Sequence, residues 1–221
     1  MYCRMKRHPS PVTRHPFGRQ TLVVATRNKK KLEEIKEILK GLPLRIVSLA
    51  EYPSAPRIVE NGKTFRNNAI KKAATIARFT RSLTLGEDSG LCVNALGGAP
   101  GVRSARFSGK DKNDEKNNRK LLKLLGDLPS RDRKAHYACA VALADETGTI
   151  GAVEGFCSGR IGYMPQGSFG FGYDPIFVIP RYGKTFAQLG PRVKHAMSHR
   201  FRALCKAKRL IEKYIEKRRH S

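Results

Sequence analysis

Two adjacent carboxylates, Glu87 and Asp88, follow a short apolar run and stand at the start of the glycine-rich stretch 86–101. We predict that a strand delivers both acids into a bend formed by these glycines. Carboxylates in such a position can hold a hard metal ion, activate a water molecule, or do both. Acids are also common in solvated turns, so this stretch by itself leaves both interpretations open.

A basic turn, T-R-N-K-K-K at residues 26–31, stands where a β-branched run gives way to a helical pattern of apolar residues. A helix N-terminus presents free backbone N–H groups and a positive dipole end to an anion, and Asn28 and Lys31 add side-chain donors. The turn therefore predicts a phosphate site. A helix cap surrounded by solvated lysines explains the same residues equally well.

Two later segments combine donors, glycines and aromatic rings. In residues 168–177, glycines alternate with aromatics, so that a flat ligand could approach the backbone while Phe171 or Tyr173 stacks on it. Residues 194–200 bring Lys194, His199 and Arg200 to the predicted start of the last helix, which favours a second anion site. A zinc site on the two histidines of that segment is disfavoured because no second pair of ligands accompanies them.

The sequence does not match the usual nucleotide-binding fingerprints. Gly183, Lys184 and Thr185 have the ending of a P-loop, but Val178 stands where its first glycine is required. The glycines of residues 167–172 follow a predicted antiparallel region without a βαβ unit, which excludes a dinucleotide fingerprint. Any nucleotide must be held in another way.

The elements that must position these groups form an alternating pattern early in the chain and an antiparallel insertion in its middle, which predicts an α/β class with a mixed sheet. The predicted strands are 21–26, 44–49, 83–85, 135–143, 150–157 and 175–179, and the predicted helices begin at Asn28, Thr64, Asp114 and Ser198. Residues 1–20 are basic and acid-free and predict a disordered extension, and residues 21–221 predict a single domain.

The composition restricts the partners. Forty-four Lys and Arg face 18 Asp and Glu, a net charge of +26, so the partner should be anionic. Nucleic-acid contact through the basic ends is possible but not expected, because basic tails are most often solvated. Five cysteines without a C-x-x-C pair indicate a reducing, cytoplasmic compartment. No apolar run is long enough for a membrane span.

Five ordered motifs together resemble the inosine triphosphate pyrophosphatase family, the enzymes of non-canonical purine nucleoside triphosphates. The resemblance covers residues 22 to about 210. The motifs are T-R-N-K-K-K from Thr26, V-E-N-G-K-T-F from Val59, E-D-S-G-L from Glu87 with A-L-G-G-A-P-G-V from Ala95, G-F-G-Y-D-P-I-F from Gly170 and K-H-A-M-S-H-R from Lys194.

The resemblance implies an elongated two-lobed α/β fold with the active site in the cleft between the lobes, a homodimer, and Mg²⁺-dependent hydrolysis of ITP, dITP and XTP to the monophosphate and pyrophosphate. It implies that Asp88 is the general base and a metal ligand, with Glu60 as a second ligand. As an adjacent acid, Glu87 could raise the pKa of Asp88 or share the metal. The implied substrate-binding residues are Thr26, Arg27, Asn28, Lys31, Ser89, Phe171, Gly172, Tyr173, Asp174, Lys194, His199 and Arg200.

Three positions depart from the family pattern, because Asn67, Gln188 and Arg192 stand where acids are frequent. Asn67 leaves the number of carboxylates on the metal open. Two other functions are compatible with the sequence: a nucleic-acid-binding protein that retains the fold, and a pyrophosphatase whose specificity has shifted toward modified pyrimidine nucleotides.

Overall fold

The computed structural model describes residues 20–219, which form one seven-stranded sheet and five α-helices. The predicted extension lies outside the described residues except for Gln20, which opens the first strand. The strands are β1 Gln20–Val24, β2 Leu44–Ser48, β3 Leu83–Val93, β4 Lys134–Asp145, β5 Gly148–Ile161, β6 Phe177–Ile179 and β7 Lys184–Thr185, and the helices are α1 Lys29–Ile38, α2 Phe65–Thr80, α3 Asp114–Leu125, α4 Phe186–Met197 and α5 His199–Arg219.

The sheet is mixed, as the sequence predicts. Its strand order is β2-β1-β3-β4-β5-β6-β7, in which β1 runs parallel to both β2 and β3 while the remaining neighbours are antiparallel. The predicted helix caps are also present, since the side chains of Asn28, Thr64 and Ser198 each accept a backbone N–H three residues on. The α/β prediction is confirmed.

The predicted end of β3 at Leu85 is wrong. The strand continues to Val93 because β4 offers a matching antiparallel partner, in which Glu87 lies opposite Val141 and Asp88 opposite Ala140. The two acids therefore lie in the middle of a strand, and as consecutive strand residues they project from opposite faces of the sheet.

The two glycines within β3 serve close approach instead of a bend. A Cβ atom on Gly86 would lie 2.2 Å from the carbonyl oxygen of Ala69 on α2, and one on Gly90 would lie 2.7 Å from the carbonyl oxygen of Gly101. On the Asp88 face, α2 packs against the sheet through a layer of alanines, Ala69, Ala73 and Ala77 against Ala140, Ala142 and Ala144. These small side chains hold the helix close to the acids.

Two larger hydrophobic clusters lie at opposite ends of the long strands and form the cores of two lobes. The first uses Leu83 and Leu85 with α1 and α5, and the second uses Leu91 and Val93 with α3 and the segment around Phe177. β3 and β4 belong to both clusters, so the acids in the middle of β3 lie between the lobes. None of the helices in residues 20–219 is long and apolar enough to span a bilayer.

Candidate active site

On the α2 face of β3, Asp88 is held by two side chains one helical turn apart. Asn68 Nδ2 donates to Asp88 Oδ2 at 3.0 Å, and Lys72 Nζ donates to Asp88 Oδ1 at 3.0 Å. The same Nζ lies 3.0 Å from Glu60 Oε2, so that one buried ammonium bridges two carboxylates. Asn68 Oδ1 in turn accepts the N–H of Gly62, which fixes the loop that carries Glu60.

Burial raises the pKa of Asp88 above its usual range, because Lys72 offsets the desolvation of the carboxylate only in part and Glu60 adds like charge. Burial acts in the same direction on Glu60, but the attraction of Lys72 outweighs it and the pKa of Glu60 is lowered. The pKa of Lys72 is raised, since the two acids outweigh the desolvation of its ammonium. The site thus holds one cation between Glu60, whose pKa is lowered, and Asp88, whose pKa is raised.

This arrangement fits a hard divalent cation. One carboxylate oxygen of Glu60 and one of Asp88 each lie 3.0 Å from Lys72 Nζ. The two acids therefore converge on a single position that already carries a positive charge. No cluster of three or more His, Cys, Asp or Glu side chains suited to a metal ion exists within residues 20–219. Mg²⁺ characteristically uses one or two carboxylates and completes its shell with water and substrate phosphates.

On the opposite face, Glu87 forms an ion-paired network. Its carboxylate lies 2.8 Å from Lys31 Nζ and 3.2 Å from Arg200 Nη2, and Arg200 also contacts Glu34 at 2.5 Å and donates to Ser89 Oγ at 3.2 Å. Burial alone would raise the pKa of Glu87, but the two cations hold it well below its usual range.

This network changes the role foreseen for Glu87. The carboxylate faces away from Asp88, and the nearby acid that raises the pKa of Asp88 is Glu60. Glu87 instead connects Lys31, in the basic turn of residues 26–31, to Arg200 at the start of α5.

The basic turn of residues 26–31 forms a helix cap in this structure. Thr26 Oγ1 accepts the N–H of Asn28, Asn28 Oδ1 accepts the N–H of Lys31, and Arg27 Nη1 donates to the carbonyl of Leu49 at 3.4 Å. Lys31, in the first turn of this capped helix, contacts Glu87 on β3. A phosphate role for these residues stays a prediction.

The glycine-aromatic loop separates its two candidate rings. Tyr173 is buried in the second cluster and donates its hydroxyl to the carbonyl of Ser104, which withdraws it from stacking on a ligand. Phe171 is half-buried, and Lys194 Nζ lies 4.4 Å from its ring centre. Asp174 holds this arrangement by contacting Lys194 Nζ at 2.5 Å and accepting the N–H of Phe171.

Gly172 is fixed by α3, because its N–H donates to Asp114 and its carbonyl accepts from Asn118. A pocket of about 460 Å³ opens between α3 and this loop. Neither Asp88 nor Glu60 lines it, so we do not assign the reacting phosphates to it.

His199 is buried against Tyr137, with ring centres 4.5 Å apart and an interplanar angle of 7°. Burial, together with the charges of Arg200 and Lys194, holds the pKa of His199 well below its usual range, so the imidazole is neutral. Its Nδ1 and the Nε of Arg200 are buried without a hydrogen-bond partner. Buried polar atoms are normally paired, so these two atoms are candidates for contact with a ligand.

Sequence reasoning missed Lys72, Asn68 and Glu34. A signal existed for Lys72, which falls on the apolar face of α2 between Ala69 and Ile76, where a solvated lysine would not be placed. No local signal marks Glu34, because its partner Arg200 is 166 positions away.

The chain is similar to known proteins over most of its length. The model of the Ham1 family matches residues 22–210. The dITP/XTP pyrophosphatase of Desulforamulus reducens is 47% identical over 192 residues, covering 87% of this chain and 96% of that protein, and the protein of the same name from Geobacter sulfurreducens is 49% identical, covering 83% and 92%.

Solved structures have a similar fold. A HAM1 protein from Coxiella burnetii superimposes with a TM-score of 0.81 at 38% identity, covering 88% of this chain and 99% of that one. The Ham1 protein of Staphylococcus aureus gives a TM-score of 0.80 at 35% identity, covering 88% of this chain and 100% of that one. The chain belongs to the Ham1 family, which confirms the resemblance found in the motifs.

Proposed function

We propose that this protein hydrolyses non-canonical purine nucleoside triphosphates, namely ITP, dITP and XTP, to the monophosphate and pyrophosphate, and so removes deaminated purines from the nucleotide pool. The observation that carries the proposal is the pair of half-buried Glu60 and buried Asp88, which both contact the Lys72 ammonium, in a chain nearly half identical to proteins named dITP/XTP pyrophosphatase.

Asp88 acts as the general base. Its raised pKa makes it a stronger proton acceptor than an ordinary aspartate, and Asn68 fixes the orientation of its carboxylate. It removes the proton of the water molecule that attacks the α-phosphorus. Lys31 pairs with Glu87 but also lies near enough to Glu60 to lower the pKa of that carboxyl, so Lys31 and the α1 N-terminus can take up charge on the departing pyrophosphate. Thr26, Arg27 and Asn28 shape this turn, and Ser89 lies on the same face as Lys31.

The metal is Mg²⁺ in this proposal, with Glu60 and Asp88 as its protein ligands. When bound, the ion neutralises phosphate charge and orients the triphosphate. Lys72 contacts both carboxylates, so its ammonium must yield its present position as the substrate and ion bind.

The base is held by Phe171, Lys194, His199 and Arg200. A 6-keto oxygen accepts hydrogen bonds, and the unpartnered Arg200 Nε–H and the single N–H of neutral His199 are donors. An adenine amino group in the same place would leave them unpaired, at about 1–3 kcal/mol for each buried donor. Gly172, Tyr173 and Asp174 support the pocket from the loop.

The test is a panel of purine and pyrimidine triphosphates assayed for kcat/KM with excess Mg²⁺. We expect ITP, dITP and XTP to exceed ATP by more than about tenfold, the equivalent of one unpaired donor. Asp88→Asn should lose at least about a hundredfold, as expected for a general base. Asp132→Asn, an exposed acid on the surface, is the matched control and should retain full activity.

Near-full ITP hydrolysis by Asp88→Asn would refute this mechanism. A panel led by modified pyrimidine nucleotides would instead support the shifted-specificity alternative.

We also propose a single domain over residues 21–221, a homodimer and a cytoplasmic location. One continuous sheet joins the two lobes. Exposed Tyr163 and Met164 offer apolar surface to a second copy, and the four cysteines within residues 20–219 are unpaired thiols, as in a reducing compartment.

A further inference from the structure

The outer face of α5 carries a row of cations, which we call the α5 stripe: Arg202, Lys206, Arg209 and Lys213. Their spacings of four, three and four residues place all four on one side of the helix. The opposite side is buried in the first cluster through Leu204, Ile211 and their neighbours, and all four stripe residues are exposed. The stripe is therefore a fixed surface on a packed helix.

The stripe has no acidic partner in the part of the chain that the structure describes. Among the described residues, none of its four cations lies within 4 Å of a carboxylate. Arg202 and Lys206 donate instead to the backbone carbonyls of Phe156 and Glu154 on β5. These hydrogen bonds hold the two side chains against the strand. The first 13 residues of α5, 199–211, contain no acid.

The spacing of the stripe suits a repeating polyanion. The first and last of the four cations are 11 positions apart, about 17 Å at 1.5 Å per residue. Each strand of duplex DNA presents one phosphate per 3.4 Å or so of helix axis, so every cation of the stripe can meet a phosphate along that length. The site proposed for nucleotide hydrolysis does not use any of the four.

A membrane surface fits less well. A helix that binds a lipid surface presents an apolar face next to its cations and inserts it between the headgroups. The apolar face of α5 is instead buried against β4 and β5, and the stripe itself contains no apolar side chain.

We propose that the α5 stripe binds the phosphate backbone of a nucleic acid, without reading its sequence. This second activity is independent of hydrolysis. It assigns a location to part of the +26 net charge that the pyrophosphatase chemistry leaves unexplained.

The test uses the full chain and fluorescent duplex DNA of about 20 base pairs, about 68 Å long. Affinity is measured by anisotropy between about 50 and 200 mM salt. The stripe variant carries Arg202→Gln, Lys206→Gln, Arg209→Gln and Lys213→Gln. Its matched control removes four exposed lysines elsewhere, Lys110→Gln, Lys123→Gln, Lys134→Gln and Lys184→Gln.

Each cation that meets a phosphate adds about 0.9 to the slope of log affinity against log salt. We expect the stripe variant to lower this slope by about 3 to 4 and the affinity by more than tenfold or so, while the charge-matched control lowers the slope by less than about 1. ITP hydrolysis and the unfolding temperature serve as checks that both variants are folded, and both should be close to the parent protein.

Three results would overturn the proposal: no binding to the duplex at the lowest salt, equal losses in the stripe variant and its control, or binding to vesicles of anionic phospholipid that depends on the stripe while binding to DNA does not. A variant limited to Arg209→Gln and Lys213→Gln leaves the two contacts to β5 intact. This double variant should lower the salt slope by about half as much as the fourfold variant. It keeps the test valid if the fourfold variant is unstable.

Discussion

The basicity of Asp88 is controlled by one residue that lies outside every motif, Lys72. The ammonium is the principal group that opposes the effect of burial on the Asp88 carboxylate. It also contacts Glu60, so the two metal-binding candidates and the base share one electrostatic partner.

Lys72→Gln should shift the pH profile of the enzyme. Without the ammonium, the pKa of Asp88 rises further, and because Asp88 acts as a base only when ionised, the acid limb of kcat/KM moves to higher pH. Lys71→Gln, which removes an exposed lysine of the same helix, should leave the limb in place. An acid limb that stays unchanged or moves to lower pH in Lys72→Gln would contradict this assignment.

Glu34→Gln tests the orientation of Arg200. The guanidinium contacts Glu34 and Glu87 at once, and losing one charged partner frees it to rotate away from the base. A hydrogen bond to a charged group contributes about 1.5–3 kcal/mol, so we expect kcat/KM for ITP to fall by at least about tenfold and the preference over ATP to narrow. Glu33→Gln, on the exposed side of α1, is the control. A loss shared equally by ITP and ATP would indicate a structural effect only.

At the scale of elements, the approach of α2 to β3 places the pair of Asn68 and Lys72 over Asp88. That approach requires Gly86, because any Cβ there would meet backbone atoms of Ala69 and Ala73 that cannot move independently of the helix. The site is therefore built into the packing of a helix on a sheet.

Gly86→Ala should destabilise the protein by about 3 kcal/mol or more, at the upper end of overpacking effects, because the helix must shift away from the strand. Gly151→Ala on β5 is the control, since a Cβ there meets only the side chain of Leu210 at 3.4 Å. The loss of stability in each of the two variants is measured from its urea unfolding midpoint. Equal small effects would show that α2 moves without cost.

Glu87→Gln should also destabilise the protein, because buried Arg200 and part-buried Lys31 lose a shared counter-charge. Removing one member of a buried pair costs on the order of 3 kcal/mol. The depressed pKa fixes the pH dependence: the stability that Glu87 contributes is present above the unfolded value of 4.5 and is lost as pH falls toward the lower folded value. The difference between parent and variant should therefore shrink in acid, which unfolding curves at pH 7 and below 4.5 measure.

For the whole molecule, the sheet supplies two lobes from shared strands, and the site lies where the lobes meet. The proposed homodimer is tested by sedimentation equilibrium. We expect twice the chain mass of 24.7 kDa, and Met164→Glu, which places a charge on the exposed apolar surface, should shift the equilibrium toward the monomer. Its matched control is Gln166→Glu, an exposed position on the same segment. A monomer at all concentrations would reject the proposal.

The sequence by itself determined the α/β class, the caps at Asn28, Thr64 and Ser198, and the family, because periodicity, capping residues and ordered motifs are local properties of the chain. The tertiary structure alone decided that β3 passes through the acids, since its partner β4 is about 50 residues away. It also decided that the side chains of Glu87 and Asp88 project from opposite faces of the sheet. Glu34 was found only through Arg200, because the two residues are 166 positions apart in the chain. The position of Lys72 on the apolar face of α2 was a local signal, but only the tertiary structure shows that Asp88 and Glu60 are its partners.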